Sequence, residues 1–542
     1  MRRVSEKTWE LIYKLHNDQG SWRNLIGRRG LPLSLFDEIA SSNEALAIPQ
    51  LTAFLLNRQS VVREAVARTI GHLIDNVKPT DFAQLDEACR DYWPHQSSAS
   101  SGWQQLKPND IKQLQRLPNA IAVVGITSFH GNGFIREAAV NELANNFDGS
   151  EMPFLLVRLN DWVSVVRESA ARAILQRIRP DYARHFLRNL HLVFRLGSCG
   201  RSRHDKIVTD VTALLQDPGV APILREGILS ADRWLRRESF RMAVAVKSDQ
   251  SAVLLKEMLS DADTMMRLWA ARQALGRFSD VELLSVLADL AQDRFMPIRR
   301  EALNVFAQRF PNESPAQLNI ALLDASSSVR ATARYWIKTQ NPQFNFAEIY
   351  RKSLNEPTAR RLRAAILGLG ETGKSADAEA VLPFLDVPAL SIRKAAIRAL
   401  SDLDGDRNVP RFVAALTCEH AGISNEATRA LSDRTSSILD QLRLLFKSQT
   451  NLRVRTNLFK LMMNLNFWAR GVFLFETLRD RDEQIIELGS RALRNWLTKS
   501  RSIATPPSKS DLEQLGNSVR ASVGMLASHD VQEFEFLLRT FR

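Results

Sequence analysis

The stretch SIRKAAIRAL at 391–400 decides the fold. Aliphatic Ile392 precedes Arg393, and apolar or small residues return about three and seven positions later. That spacing places them on one face of a helix. The same phrase recurs as SVVREAVARTI (60–70), FIREAAVNEL (134–143), VSVVRESAARAIL (163–175), FMPIRREALNVF (295–306) and SSVRATARYWI (327–337).

Anchoring on the arginine gives a period. Arg136 to Arg167 is 31 residues, Arg237 to Arg267 is 30, and Arg267 to Arg299 is 32. Arg299 to Arg330 is 31, Arg330 to Arg363 is 33, and Arg363 to Arg393 is 30. The frame runs on through Ser424, Arg455 and Ile486 at steps of 31, where Ser424 and Ile486 keep the apolar pattern without the arginine. Two longer gaps, Arg63 to Arg136 (73) and Arg167 to Arg237 (70), each span about two units. The first gap holds an insertion and the second a degenerate unit near Arg203. A fixed spacing of this kind is the mark of a repeat architecture.

A unit of this length holds two short helices and two tight turns. Between 378 and 408, AEAVLPFLD reads as a first helix, VPALS as a turn, IRKAAIRALSDL as the second helix and GDRN as the exit turn. Neither helix alone buries its apolar stripe, so each pair must stack on its neighbours. The arginine lies in the first turn of its helix, against the dipole, so its recurrence implies a fixed partner. Asp161, Asp261, Asp293 and Asp324 stand six residues before Arg167, Arg267, Arg299 and Arg330; Asn57 holds that place before Arg63, and Asp386 lies seven before Arg393. An aspartate there can cap helix amides and accept from an arginine of its own or the next unit. The expectation is a structural Asp–Arg ladder along the repeats.

The segment LDGDRNVP (403–410), with helices of the IRKAAIRAL kind, resembles the short HEAT-like repeats of phycobilisome lyases, over roughly residues 45–497. The resemblance implies an all-α fold, a right-handed α-α superhelix of roughly 12–14 helix pairs, an armadillo-like solenoid. It is close to silent on function, because scaffolds, chromophore lyases, hydroxylases and DNA glycosylases share it. The hydroxylase branch holds iron with His-Glu pairs, and none of the nine histidines here is followed by Glu.

Outside the frame, residues 1–44 read as an N-terminal helical cap, 498–511 as a linker by composition and 512–542 as a C-terminal cap. In the last segment Phe534, Leu537, Leu538 and Phe541 share helical spacing. The insertion near 90–110 carries Trp93 and Trp103 among Ser, Gly and Pro, either as a contact loop or packed back on the repeats.

At 542 residues the chain exceeds one compact core. Its formal charge is +13, and about three-quarters of its Lys and Arg is Arg, which favours acidic partners. The opening MRRVSEKTWE lacks the apolar run of a secretory leader, no segment is apolar enough for a membrane span, and Cys89, Cys199 and Cys418 lie far apart. A cytoplasmic location is the expectation.

Signatures of zinc proteases, serine hydrolases and paired-cysteine sites are missing. GLGETGKS (368–375) superficially resembles a phosphate loop, yet its glycines read as wrongly spaced and it follows a repeat helix rather than a strand, so the expectation is an inter-repeat turn. His185, His191, Cys199 and His204 match no zinc spacing. The stretch 172–206 is the most basic, with Arg172, Arg177, Arg179, Arg184, Arg188, Arg195, Arg201, Arg203 and Lys206. Further basic runs lie at 351–363 and at Arg443, Lys447, Arg453, Arg455 and Lys460. The expected function is a non-enzymatic scaffold, without cofactor or metal, that binds an acidic protein partner through its solenoid surface. The alternative is nucleic-acid binding through basic stripes, with DNA-glycosylase-like chemistry as its extreme form; Arg184, Arg188, Arg195, Arg201, Arg203 and Lys206 would carry the contact.

Overall fold

The computed structural model describes residues 4–21, 32–91, 101–246, 249–500, 506–525 and 531–536. Among these residues every regular element is helical, and none is a strand. The chain divides into two compact units, Met1–Ala270 and Ala271–Arg542. Each is built from stacked helix pairs.

In the first unit the pairs are plainest at Ala120–Thr127 with Gly133–Ala144, and Met152–Arg158 with Ser164–Gln176. In the second unit seven pairs follow one another, from Asp280–Leu290 with Met296–Arg309 to Phe467–Thr477 with Glu483–Ser500. The first helix of the 378–408 pair is α-helical only over Ala378–Val381 and tightens to a 3-10 helix over Leu382–Leu385. Pro383 explains the change, since it has no amide hydrogen to continue the α-helical ladder. The degenerate unit has a broken first helix, Ala183–Arg188 then Leu190–Arg195, and a second helix, Asp205–Leu215, without the arginine.

The first-turn arginine makes two kinds of contact. It reaches back to carbonyls of its own turn: Arg167 Nη1 donates to Asp161 O at 2.7 Å, Arg299 Nη1 to Asp293 O at 2.9 Å, and Arg330 Nη1 to Asp324 O at 2.7 Å. It also forks onto the aspartate of the next unit. Arg136 donates through Nε and Nη2 to Asp161 at 2.9 and 2.8 Å, and Arg299 does the same to Asp324 at 2.8 and 2.7 Å. Arg455 meets Asp480 at 2.5 Å, and Arg236 meets Asp261. Each of these four jumps spans 25 residues. The aspartate is itself fixed by its own turn, where Val163 N and Ser326 N donate to Asp161 and Asp324 at 2.9 and 2.7 Å. A step of 25 across the seam and 6 within the turn adds to 31, the period of the sequence.

Several rungs depart from this pattern, three of them instructively. In the 233–245 helix the residue in register is Arg236, not Arg237; Arg237 forks instead onto Asp263 at 2.9–3.1 Å. Arg330 has Asn355 at the 25-residue position and turns to Glu371, which it shares with Arg334. Arg393 does not use Asp386, which is exposed; it donates to Leu385 O at 2.9 Å and to Cys418 Sγ at 3.9 Å, the thiol standing where an aspartate stands elsewhere.

The helix Phe82–Arg90, just before the insertion, ties into the ladder. Arg158 bridges Asp86 and Asp161 at 2.5 and 2.9 Å, and Arg90 joins Asp86 at 2.5 Å. Trp103 is buried against His130, which meets its carbonyl at 3.0 Å, so this tryptophan packs back on the repeats. Trp93 lies outside the described residues. At the other end, Phe534 is fully buried edge-on against Phe475, while Leu537, Leu538 and Phe541 lie outside the described residues.

Burial raises the Asp161 carboxyl, but the hydrogen bond from Arg136 and the charge of Arg158 outweigh it, holding the group below its usual 3.8. Asp161→Ala leaves the buried Arg136 without a carboxylate and Arg158 with Asp86 alone, and is expected to lower unfolding stability by about 3–5 kcal/mol in urea titrations, whereas Asp386→Ala should change it by less than ~0.5 kcal/mol. The contribution of Asp161 is whole above the unfolded carboxyl's pKa of about 3.9 and is lost as pH falls through the lower folded value. Stability of the wild type should therefore drop more steeply below about pH 4 than that of Asp161→Asn.

Candidate functional site

With the ladder arginine taken as position zero, two further arginine rows emerge. The first closes helix ends. Arg177, Arg309 and Arg434 stand ten residues after Arg167, Arg299 and Ser424. Arg177 is wholly buried and donates to Glu151 at 2.6 Å and to the carbonyls of Leu143, Ala144 and Asn146, the free C-terminal end of the preceding second helix. Arg309 donates to Leu275 O at 3.4 Å and pairs with Asp280; Arg434 donates to Ser401 O at 3.4 Å and pairs with Asp406 at 2.7 Å. A cation is favourable at these carbonyls.

The second row lies five residues after position zero. Arg68, Arg172, Arg241, Arg272, Arg398, Arg429, Lys460 and Arg491 occupy it, and all are exposed. Over Arg398, Arg429, Lys460 and Arg491 the interval is 31 each time, so four consecutive second helices present a cation on one face. Glutamates interleave with them: Arg398 Nη2 and Arg429 Nη1 both meet the buried Glu426, at 2.7 and 3.0 Å, and Arg491 pairs with Glu487 at 2.8 Å. Lys394, one residue after position zero, lines a hollow of about 100 Å³ together with Arg363, Ser391, Arg398 and Glu426. Neither row was read from the sequence, although the 31-residue interval of the second was there to find.

The basic stretch 172–206 is divided by the fold. Arg177 is structural, Arg179 pairs with Asp181 at 3.0 Å and Arg172 donates to Ser169 Oγ at 3.0 Å. Arg184 forks onto Glu226 at 3.1 and 2.6 Å, and Arg188 stands near the same carboxylate, whose pKa is lowered by the Arg184 hydrogen bond first. Arg201 reaches back to Asn160 O at 3.0 Å. Arg195, Arg203 and Lys206 are exposed, and their side chains meet no acid or carbonyl among the described residues. The nearby histidines also disperse. His191 stacks on Trp234 at 4.0 Å and meets Asp232 at 2.8 Å, His185 packs on Tyr182, His204 is buried, and Cys199 donates to Arg195 O at 3.5 Å. Among the described residues no group of three or more such side chains is placed to hold a metal.

GLGETGKS has the residue spacing of a phosphate-binding loop, G-x-x-x-x-G-K-S, which makes its backbone decisive. Gly368 and Gly370 lie inside the helix Ala359–Thr372. A Cβ on Gly368 would come within 2.2 Å of the Tyr350 ring, and one on Gly370 within 2.7 Å of Ala399 Cα. These glycines serve close helix packing, and no strand feeds the turn.

No protein-family model and no curated protein matches the sequence. Among solved structures the chain is similar to importin beta at 12% identity, over 98% of this chain and 86% of that one, with a TM-score of 0.34. It is similar to the C-terminal fragment of the Chaetomium thermophilum cohesin loader SCC2 at 12% identity, 94% and 46% coverage and a TM-score of 0.30. A likeness to YibA of E. coli has 18% identity, 49% and 98% coverage and a TM-score of 0.30.

Gly370→Ala is expected to cost about 1–3 kcal/mol, read from the shift of the urea midpoint, because Ala399 backbone must move. Lys374→Ala should leave both stability and any ATP binding seen by calorimetry unchanged; a loss of nucleotide affinity would restore the phosphate-loop reading.

Proposed function

We propose that the chain is a HEAT-like, non-enzymatic scaffold that holds an acidic protein through the exposed cations of its second helices. The observation that carries this reading is the row Arg398, Arg429, Lys460 and Arg491, one cation per repeat over four repeats. Packed helices lie about 8–10 Å apart, so the row offers widely spaced single charges. The interleaved Glu426 and Glu487 dilute the row's charge, which suits the carboxylates of an acidic polypeptide better than the denser phosphate charge of a nucleic-acid backbone. No described helix is long and apolar enough to cross a membrane.

Nucleic-acid binding rests on a different observation, the exposed Arg195, Arg203 and Lys206 in the first unit. The two readings separate on reversal of charge. Changing Arg398, Arg429, Lys460 and Arg491 together to Glu should weaken binding of poly-L-glutamate by about eightfold or more, since four exposed contacts at ~0.3–1 kcal/mol each sum to ~1.2–4 kcal/mol. Binding of duplex DNA should be weak in wild type and variant alike. Were poly-L-glutamate unaffected and DNA bound with a steep salt dependence that Arg195→Glu, Arg203→Glu and Lys206→Glu abolish, the nucleic-acid reading would replace this one.

A further inference from the structure

We infer that a second site, a basic pocket at one rung of the ladder in the second unit, takes a phosphate monoester carried on a protein side chain. The pocket has a volume of about 240 Å³. Arg443 and Lys447, in the last two turns of the helix Leu439–Ser448, form one wall. Arg479 and Arg481, in the turn after Phe467–Thr477, form the other. The floor is aromatic: Phe446 and Phe473 lie edge to face, 5.4 Å apart at 78°.

The ladder accounts for only two of the charges here. Arg455 and Asp480 are the rung, joined at 2.5 Å. The residues on either side of the rung aspartate elsewhere are Asn160 and Trp162, Ser260 and Ala262, or Leu323 and Ala325. Only at Asp480 are both flanking residues arginine, and stacking does not require them. Setting the neutralised rung aside, four cations remain against one carboxylate, Glu476, and its contact with Arg443 is long, at 3.8 Å. The buried Nε of Arg443 has no hydrogen-bond acceptor, Arg481 spends one donor on Gln449 O, and Lys447 and Arg479 are exposed without an acid partner among the described residues.

Such a pocket is short of about three negative charges and several acceptor oxygens. A phosphate monoester carries about −1.5 to −2 charges at neutral pH and three acceptor oxygens, and guanidinium groups bind it with charge-assisted hydrogen bonds. A carboxylate supplies one charge. A phosphodiester supplies one charge and continues on both sides, so it cannot enter a closed-floored hollow end on. A phosphorylated serine or threonine enters by its terminus, its β-carbon stem facing the phenyl floor. The site lies apart from the second-helix row and stands or falls separately from it.

The test is calorimetric titration of the full chain with N-acetyl-O-phosphoserine amide, N-acetylserine amide and inorganic phosphate, beside the variant Lys447→Glu/Arg479→Glu. Both positions are exposed, so the variant should keep the thermal midpoint of the wild type. The phosphoserine compound should bind the wild type at least tenfold more tightly than the serine compound, inorganic phosphate should compete with it, and the variant should erase the difference while still binding poly-L-glutamate. Equal affinity for the two amides, or a preference that survives in the variant, overturns the proposal. Displacement of the phosphoserine compound by a single-stranded oligonucleotide at equal phosphate concentration would reassign the pocket to nucleic acid and overturn it as well.

Discussion

A guanidinium group cannot be buried without partners, and this fold buries one, wholly or in part, at the start of second helix after second helix. Arg136 and Arg330 are at most 1% exposed, yet the first turn of a helix offers them only amide hydrogens. Their acceptors must come from outside the helix. Carbonyls of the preceding turn supply one set, and a carboxylate of the following unit supplies the other. A buried ion pair is no large net gain over apolar packing, because desolvation offsets the attraction. What it imposes is register, since a mispaired unit leaves a charge alone in the core.

The surplus of arginine takes on a different meaning once positions are sorted by their place in the repeat. Residues at position zero hold the seams, and those ten further on close the carbonyl ends of neighbouring helices, as Arg177 does for the helix ending at Ala144. Part of the basic character therefore belongs to the interior and to helix ends. The exposed cations five residues on, several of them sharing glutamates at the surface, and the four around Phe446 and Phe473 are the part that faces solvent or a partner.

The period, the helix pairs and the aspartates of the ladder were legible because each leaves its mark within one unit. The 25-residue jump from Arg136 to Asp161 was not, since nothing local distinguishes a partner six residues away from one in the next turn. Arg237 looked in register because its neighbour Arg236 is the same residue type; only the acceptor, Asp261 or Asp263, tells them apart. The basic stretch 172–206 read as one patch because sequence proximity hides the inward turn of Arg177 and the pairing of Arg184 with Glu226. GLGETGKS shows the converse, a spacing that names a chemistry its helical backbone forbids. The 443–481 pocket joins residues of two units, and no local motif announces it.

Because 25 residues across a seam and 6 within a turn are both counted out by hydrogen bonds, the ladder works as a ruler. One residue added between Arg299 and Asp324 would carry the carboxylate off its guanidinium and strand both. Length can change cheaply only where the ruler is interrupted, as between Arg63 and Arg136 or between Arg167 and Arg236. Elsewhere a chain of this design grows or shrinks by entire repeats, and the surface it displays is lengthened in steps of one helix pair.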